Sequence, residues 1–277
     1  MEKIADIDKL FGQFAEKYIQ QNKGKFTADE WEDKIPELYE KFGKTPFEEL
    51  GGKTPETYFA GMSGKELVEL LCAAAESGSV SDYLCEAIIA SADSEKPLIG
   101  LLDDPSEEKV MYALNLLGDK DSKEAISAYI ELVTDGSRDE HVKELAAELL
   151  CRSPELCKER ILRLYADSEE SEKPLFCDIL SRCKPDQRVY EVLESAFEEH
   201  PSAPALYSSF LARYGDERAL DCLYRAIENE SLDFSDFREL KFAIETLGGE
   251  YEKKRDFSSD KIYKKLSEEN KKKTRKA

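Results

Sequence analysis

Apolar residues along this chain recur at i, i+3, i+4 and i+7, the spacing that gathers side chains on one stripe of an α-helix. The pattern holds at Val110/Ala113/Leu114/Leu117, Ile126/Tyr129/Ile130/Val133, Val142/Leu145/Ala146/Leu149, Phe176/Ile179/Leu180/Cys183, Val189/Val192/Leu193/Ala196, Tyr207/Phe210/Leu211/Tyr214 and Ala219/Cys222/Leu223/Ala226. No alternating strand pattern interrupts it, and seven Val and seven Thr in 277 residues supply little β-branched material for a sheet. The predicted class is all-α. Helix starts are signalled by Ser63-Gly64-Lys65-Glu66, which has capping-box spacing, and by Asp104-Pro105 and Ser153-Pro154, each a capping residue before a proline suited to the first helical position.

The punctuation is periodic. Breaks at Pro154, Pro185 and Gly215 lie 31 and 30 residues apart, Gly248 lies 33 further on, and each interval holds two amphipathic segments. The ends of the second helices repeat too: Leu150-Cys151-Arg152, Leu180-Ser181-Arg182 and Leu211-Ala212-Arg213 are spaced by 30 and 31 residues. A helix pair of this kind leaves an apolar face uncovered, so stacking the next pair in the same orientation buries a continuous core.

At this point a family resemblance becomes specific. Asp139-Glu140-His141-Val142-Lys143-Glu144-Leu145-Ala146-Ala147-Glu148-Leu149-Leu150 is similar to the second helix of a HEAT repeat. Asp104-Pro105 followed by Val110, Ala113 and Leu116-Leu117-Gly118-Asp119 resembles the opening and end of the same helix, and Tyr214-Gly215-Asp216-Glu217-Arg218-Ala219-Leu220 resembles the junction into a following first helix. The resemblance covers residues 94–250 and is weakest over 153–210, where the basic residue after Val is missing and a looser armadillo-like geometry fits. It implies a right-handed α-α superhelix, a HEAT/armadillo-like solenoid of stacked helix pairs.

Three segments follow. Residues 1–62 hold the only Trp and a repeated Gly-Lys-Thr-Pro, at Gly43-Lys44-Thr45-Pro46 and Gly52-Lys53-Thr54-Pro55, and are expected to form an atypical helical cap. Residues 63–251 are expected to carry the repeats. Residues 252–277 lose the apolar period and become lysine-rich, with too little apolar surface to offset ordering entropy, so a disordered tail is expected.

Charge narrows the partners. The net charge is −20, and since residues 261–277 hold eight Lys or Arg against two Glu, residues 1–260 carry −26. Contacts to duplex nucleic acid or an anionic membrane run through Lys and Arg, so the body is poorly suited to either, while the basic tail remains a candidate for electrostatic contacts. The early acids of Met1-Glu2-Lys3-Ile4-Ala5-Asp6-Ile7-Asp8 argue against a secretory signal, and no apolar run reaches the ~18 residues of a membrane span. Seven scattered cysteines suit free thiols in a reducing, cytoplasmic compartment.

Candidate chemistry is sparse. Both Gly-Lys-Thr copies lack the earlier glycine of a phosphate loop, Leu38 and Phe47 standing at that position, and each Thr precedes Pro, so Thr54-Pro55 reads as a helix cap. Cys151/Cys157 and Cys177/Cys183 are each separated by five residues, wider than usual zinc pairs, and read as packing residues. His141 and His200 have no triad context. No catalytic, cofactor or metal site is therefore expected. The expected role is a non-enzymatic scaffold binding a protein partner on the solenoid face, through Arg152, Arg182 and Arg213 with Glu148, Ser209 and Lys241 as neighbours. Alternatives are a HEAT-like-fold enzyme acting on nucleic acid, of the DNA glycosylase type, against which the acidic body argues, and an adaptor anchored by its basic tail.

Overall fold

The computed structural model of the protein describes residues 6–265. Among them there is no strand, and no helix is long and apolar enough to cross a membrane. The chain divides into two compact units, residues 1–128 and 129–277.

The first unit contains α1 (Ile7–Gln21), α2 (Ala28–Gly43), a short α3 (Pro55–Tyr58), α4 (Gly64–Ser77), α5 (Asp82–Ala90), α6 (Glu95–Leu101) and α7 (Glu107–Asp119), and the division falls within α8 (Ile126–Thr134). The second unit continues with α9 (Glu140–Cys151), α10 (Pro154–Leu164), α11 (Lys173–Leu180), α12 (Gln187–Glu199), α13 (Pro204–Tyr214), α14 (Leu220–Ile227) and α15 (Phe234–Thr246). The expected breaks stand where the spacing puts them. Pro154 opens α10, Pro185 lies between α11 and α12, and Gly215 and Gly248 follow α13 and α15 in the left-handed conformation, at φ 78° and 83°.

Helices pack on their neighbours in sequence, in an arrangement compatible with α-solenoid stacking within each unit. In the first unit α4 meets α5 and α6, and α5 meets α7. In the second, α9, α11, α13 and α15 pack successively into one layer, while α10 joins α9 and α11, α12 joins α11 and α13, and α14 joins α15. Between the layers Leu150, Ile161, Phe176, Leu180, Val189, Leu223 and Leu240 are fully buried. Each such aliphatic or aromatic side chain contributes roughly 1.5–3 kcal/mol relative to exposure.

Local starts follow the capping residues, with one correction. Ser63 and Glu66 form the expected box, Glu66 N–H donating to Ser63 Oγ at 3.3 Å and Ser63 N–H to Glu66 Oε2 at 2.7 Å. Thr54 caps α3 with Pro55 at its first position. Asp104-Pro105, however, does not start a helix: α7 begins at Glu107, capped by Ser106, while Asp104 accepts the Ser106 N–H at 2.9 Å and so closes the preceding turn. A serine two residues later supplied a better-placed acceptor.

The C-terminal boundary also differs from the sequence reading. Arg255 donates to the carbonyls of Asn229 (2.7 Å) and Ile227 (2.8 Å), Lys253 pairs with Glu228 (2.6 Å), and Phe257 is buried between Phe234 and Phe237, at centroid distances of 5.4 and 5.1 Å. Residues 252–260 thus lie against α14 and α15, because two aromatics and one arginine suffice where the helical period has faded. Residues 266–277, the remainder of the expected tail, lie outside the described residues.

Gly64 is required for close approach. A Cβ there would meet the backbone of Asp93 and Ser94 at 2.3–2.5 Å, and its N–H donates to Asp93 Oδ1 at 3.0 Å, tying α4 to the turn before α6. Gly100, in α6, has nothing within 4 Å. Gly64→Ala is therefore expected to lose about 1–3 kcal/mol of unfolding free energy. Gly100→Ala is expected to gain about 0.5–1 kcal/mol, so denaturant midpoints that move in opposite directions check this packing account.

Candidate functional site: the second-helix layer

Helices α9, α11, α13 and α15 each turn one stripe outward. On α9 the stripe is His141, Glu144, Glu148 and Arg152; on α11 it includes Asp178 and Arg182; on α13 it is Leu206, Ser209 and Arg213; on α15 it is Arg238, Lys241, Phe242 and Glu245. Each set follows the three- and four-residue spacing that shares a helix face, and the opposite faces carry the buried residues already described.

The three arginines of the repeated helix end do not form an open ladder. Arg152 pairs with Glu148 on its own helix at 3.5 Å. Arg182 pairs with Asp178 at 3.4 Å, and Arg213, one helix further, reaches the same Asp178 oxygen while donating to Ser181 Oγ at 3.2 Å. Cys151 completes the junction, its thiol donating to the other Asp178 oxygen at 3.2 Å. One carboxylate thus joins α9, α11 and α13. Burial and then the Asp178 charge push the Cys151 thiol up to about 12, so it stays protonated and serves as a donor. Lys241 pairs with Glu245 at 3.6 Å, and the Ser209 hydroxyl donates back to the Leu206 carbonyl at 2.6 Å.

Sequence reasoning missed Asp178, Leu206 and Phe242. Asp178 was signalled by its place four residues before Arg182, and Leu206 by its place seven before Arg213. Leu206 is 43% exposed and Phe242 63% exposed, the latter the most exposed large apolar residue described. Single exposed apolar side chains are ordinary. Leu206 shares its helix face with Arg213, and Phe242 shares its face with Arg238 and Lys241, so each exposed apolar side chain has charged residues on the same face, the pairing found where an interface centre meets its rim.

The remaining chemical candidates are engaged in packing. The Cys157 thiol donates to the Pro154 carbonyl at 3.2 Å, and Cys177 lies 3.7 Å from the Tyr165 hydroxyl; burial pushes both thiols up to about 12. Among the described residues no three His, Cys, Asp or Glu side chains gather as a metal-binding group. His141 is exposed beside Glu144 at 3.5 Å. His200 stacks on Tyr207 with centroids 4.4 Å apart, its Nδ1 2.7 Å from the Ala196 carbonyl and its Nε2 2.8 Å from Glu170. A groove of about 590 Å³ beside α10 and α12 has Arg163, Lys173 and Arg188 facing Glu159, Glu191 and Glu199, a balance of charge that selects no ligand. Neither a protein-family model nor a curated protein matches the chain.

Both His200 partners are acceptors, so the doubly protonated ring satisfies them together. The bond to Glu170, followed by that to Ala196, raises its pKa above the usual value of about 6.5, although burial and nearby Lys173 oppose the shift. A raised folded-state pKa means the stabilisation is fully present below about pH 6.5 and is lost as pH rises through the folded value. NMR titration is expected to place His200 above 6.5 in the native chain and to return it towards 6.5 in Glu170→Gln. The stability difference between the two proteins should shrink over that same rise in pH.

Proposed function

We propose that this chain is a HEAT-like, non-enzymatic scaffold that binds a protein partner along the α9/α11/α13/α15 layer in the cytoplasm. The observation that supports the reading best is the exposure of Leu206 and Phe242 on neighbouring helices of the layer, on faces that also carry Arg213, Arg238 and Lys241. Stacked second helices present side chains from several repeats to one ligand, so affinity accumulates from modest contacts. Arg213, Arg238 and Lys241 stand beside Asp178 and Glu245 on these helices, and a partner segment that brings an apolar anchor flanked by carboxylates suits the extra cation.

The arginines take a different part from the one their register implies. Arg182 and Arg213 hold α11 and α13 in place through Asp178, and their outward guanidinium edges remain available to a partner carboxylate. A nucleic-acid enzyme draws less support. The second unit, residues 129–277, carries 33 acidic against 26 basic residues, and its repeated arginines sit beside carboxylates.

The test compares capture by the full chain with capture by Phe242→Asp, Leu206→Asp and the double variant, all of which alter exposed positions and are expected to keep the wild-type melting temperature. A specific partner is expected to be retained by the wild type, reduced by each single substitution and lost with both. Equal retention by all four proteins excludes this layer as the binding face.

A further inference from the structure

The first unit carries a second apolar surface unrelated to the repeat layer. Helices α1 and α2 form an antiparallel hairpin: Phe11, early in α1, meets Tyr39 and Phe42 late in α2, at centroid distances of 5.0 and 5.3 Å, while Tyr18 meets Trp31 at 6.3 Å. One side of this hairpin is closed by Phe42, which is fully buried. The other side is an open groove of about 220 Å³, whose walls are Phe11, Ala15 and Ile19 from α1 and Trp31, Ile35 and Leu38 from α2. Ile19 is 43% exposed and Ile35 53% exposed. The apolar positions run i, i+4, i+8 along α1 and i, i+4, i+7 along α2, so the groove follows the helix axes over about 12 Å.

The α2 wall is acidic, whereas α1 is balanced, with Lys9 and Lys17 against Asp8 and Glu16. Residues 30–43 carry five carboxylates and two lysines, and Glu32 stands in the groove wall. Lys34, also in the wall, is neutralised by Glu37 at 2.6 Å, and Lys44 at the end of the helix by Glu40 at 2.6 Å. At the Phe11 end the Tyr39 hydroxyl approaches Asp82 at 3.5 Å, and Asp6 and Asp8 both accept from the Ser79 hydroxyl, at 3.0 and 3.2 Å. Burial first, then Tyr83 and the charges of Asp82 and Asp8, raise the Tyr39 phenol. Residues 1–128 as a whole hold 27 acidic against 14 basic side chains.

We propose that the α1/α2 groove is a docking site for a cationic amphipathic helix of a partner protein. A channel between two antiparallel helices accepts the ridge of a third helix, whose apolar side chains at three- and four-residue spacing match the spacing of the walls. The acidic rim selects lysine or arginine on the flanks of that helix and repels acidic ones. A second copy of this chain would bring the same acidic rim against itself, and an anionic lipid surface would meet like charge. Together with the second-helix layer, the groove gives the chain two recognition surfaces of different character.

Trp31 is the single tryptophan and lies in the groove wall, so its emission reports occupancy in the full-length protein. The probes are three tryptophan-free synthetic peptides of about 14 residues, long enough for the groove. One has Leu at i, i+4, i+7 and i+11 with Lys on both flanks; another has Glu for every Lys; the last is the Lys peptide scrambled. The Lys peptide is expected to shift Trp31 emission saturably, with affinity falling as salt rises. The Glu and scrambled peptides are expected to bind more than about tenfold more weakly, as are complexes of the Lys peptide with Ile19→Gln or Ile35→Gln. Both isoleucines are half exposed, so either substitution preserves the hairpin and the second confirms the first. Leu156→Gln, at an exposed position outside both surfaces, is expected to leave peptide binding unchanged. Equal binding of the scrambled Lys peptide overturns the proposal, because charge alone then suffices. So does equal binding of the Glu peptide, wild-type affinity in both isoleucine variants, or a Trp31 change on dilution that tracks dissociation of a dimer.

Discussion

In the second unit each helix pair has an apolar face that the next pair in sequence covers, and the remaining features of that unit depend on this burial. In the second unit the rows of Leu149, Leu150, Ile179, Leu180, Phe210 and Leu211 lie in helices that stack successively. Helix α13 makes its broadest contact with α15, not with the helices of its own stretch of chain. Removing water from such a row stabilises the stack but fixes neither rotation nor register, since hydrophobic attraction has little direction. Directional bonds supply both.

Those bonds recur at the repeat spacing. Arg160 reaches Glu131 at 3.2 Å, Arg188 reaches Glu159 at 2.7 Å, and Arg218 reaches Gln187 at 2.7 Å, links of 29, 29 and 31 residues. They are exposed, and each is worth little by itself. More directional are two tyrosines used in the same way. The Tyr214 hydroxyl accepts the Asp186 N–H at 2.7 Å and donates to the Asp186 carbonyl at 2.9 Å; the Tyr224 hydroxyl does the same with Glu250, at 3.0 and 3.1 Å. Each fastens a chain turn to a helix a repeat away. Asp178 acts similarly among α9, α11 and α13. The outward face of α9, α11, α13 and α15 is thus built over a layer whose spacing is set by buried rows and fixed by side chains reaching one repeat along.

Much of this was legible in the sequence because it depends on local periodicity. The helical stripes, the breaks at Pro154, Pro185 and Gly215 and the Ser63 cap all express rules that act within a few residues. What escaped depends on long-range approach. No spacing rule announces that Arg213 and Arg182 converge on Asp178, because Arg213 and Asp178 are 35 residues apart. The groove between α1 and α2 escaped for a related reason: Phe11 and Trp31 look like ordinary core residues until one side of the hairpin is seen to be open. Phe257 was read as part of a tail because one aromatic contributes nothing to a period, yet it is buried once Phe234 and Phe237 lie opposite. Asp104 and Ser106 both suit a cap chemically, and only the path of the chain decides between them.

If stability passes from one helix pair of the second unit to the next, ending the chain at Gly215, which removes α14 and α15, uncovers the face of α13 and weakens the pair it belongs to. The shortened protein is expected to melt at a markedly lower temperature and to bind more of a hydrophobic dye at 25 °C than the full chain does. A shortened chain with the full-length melting temperature and no extra dye binding would be the contrary result, because α13 would then be stable without the pair that covers it.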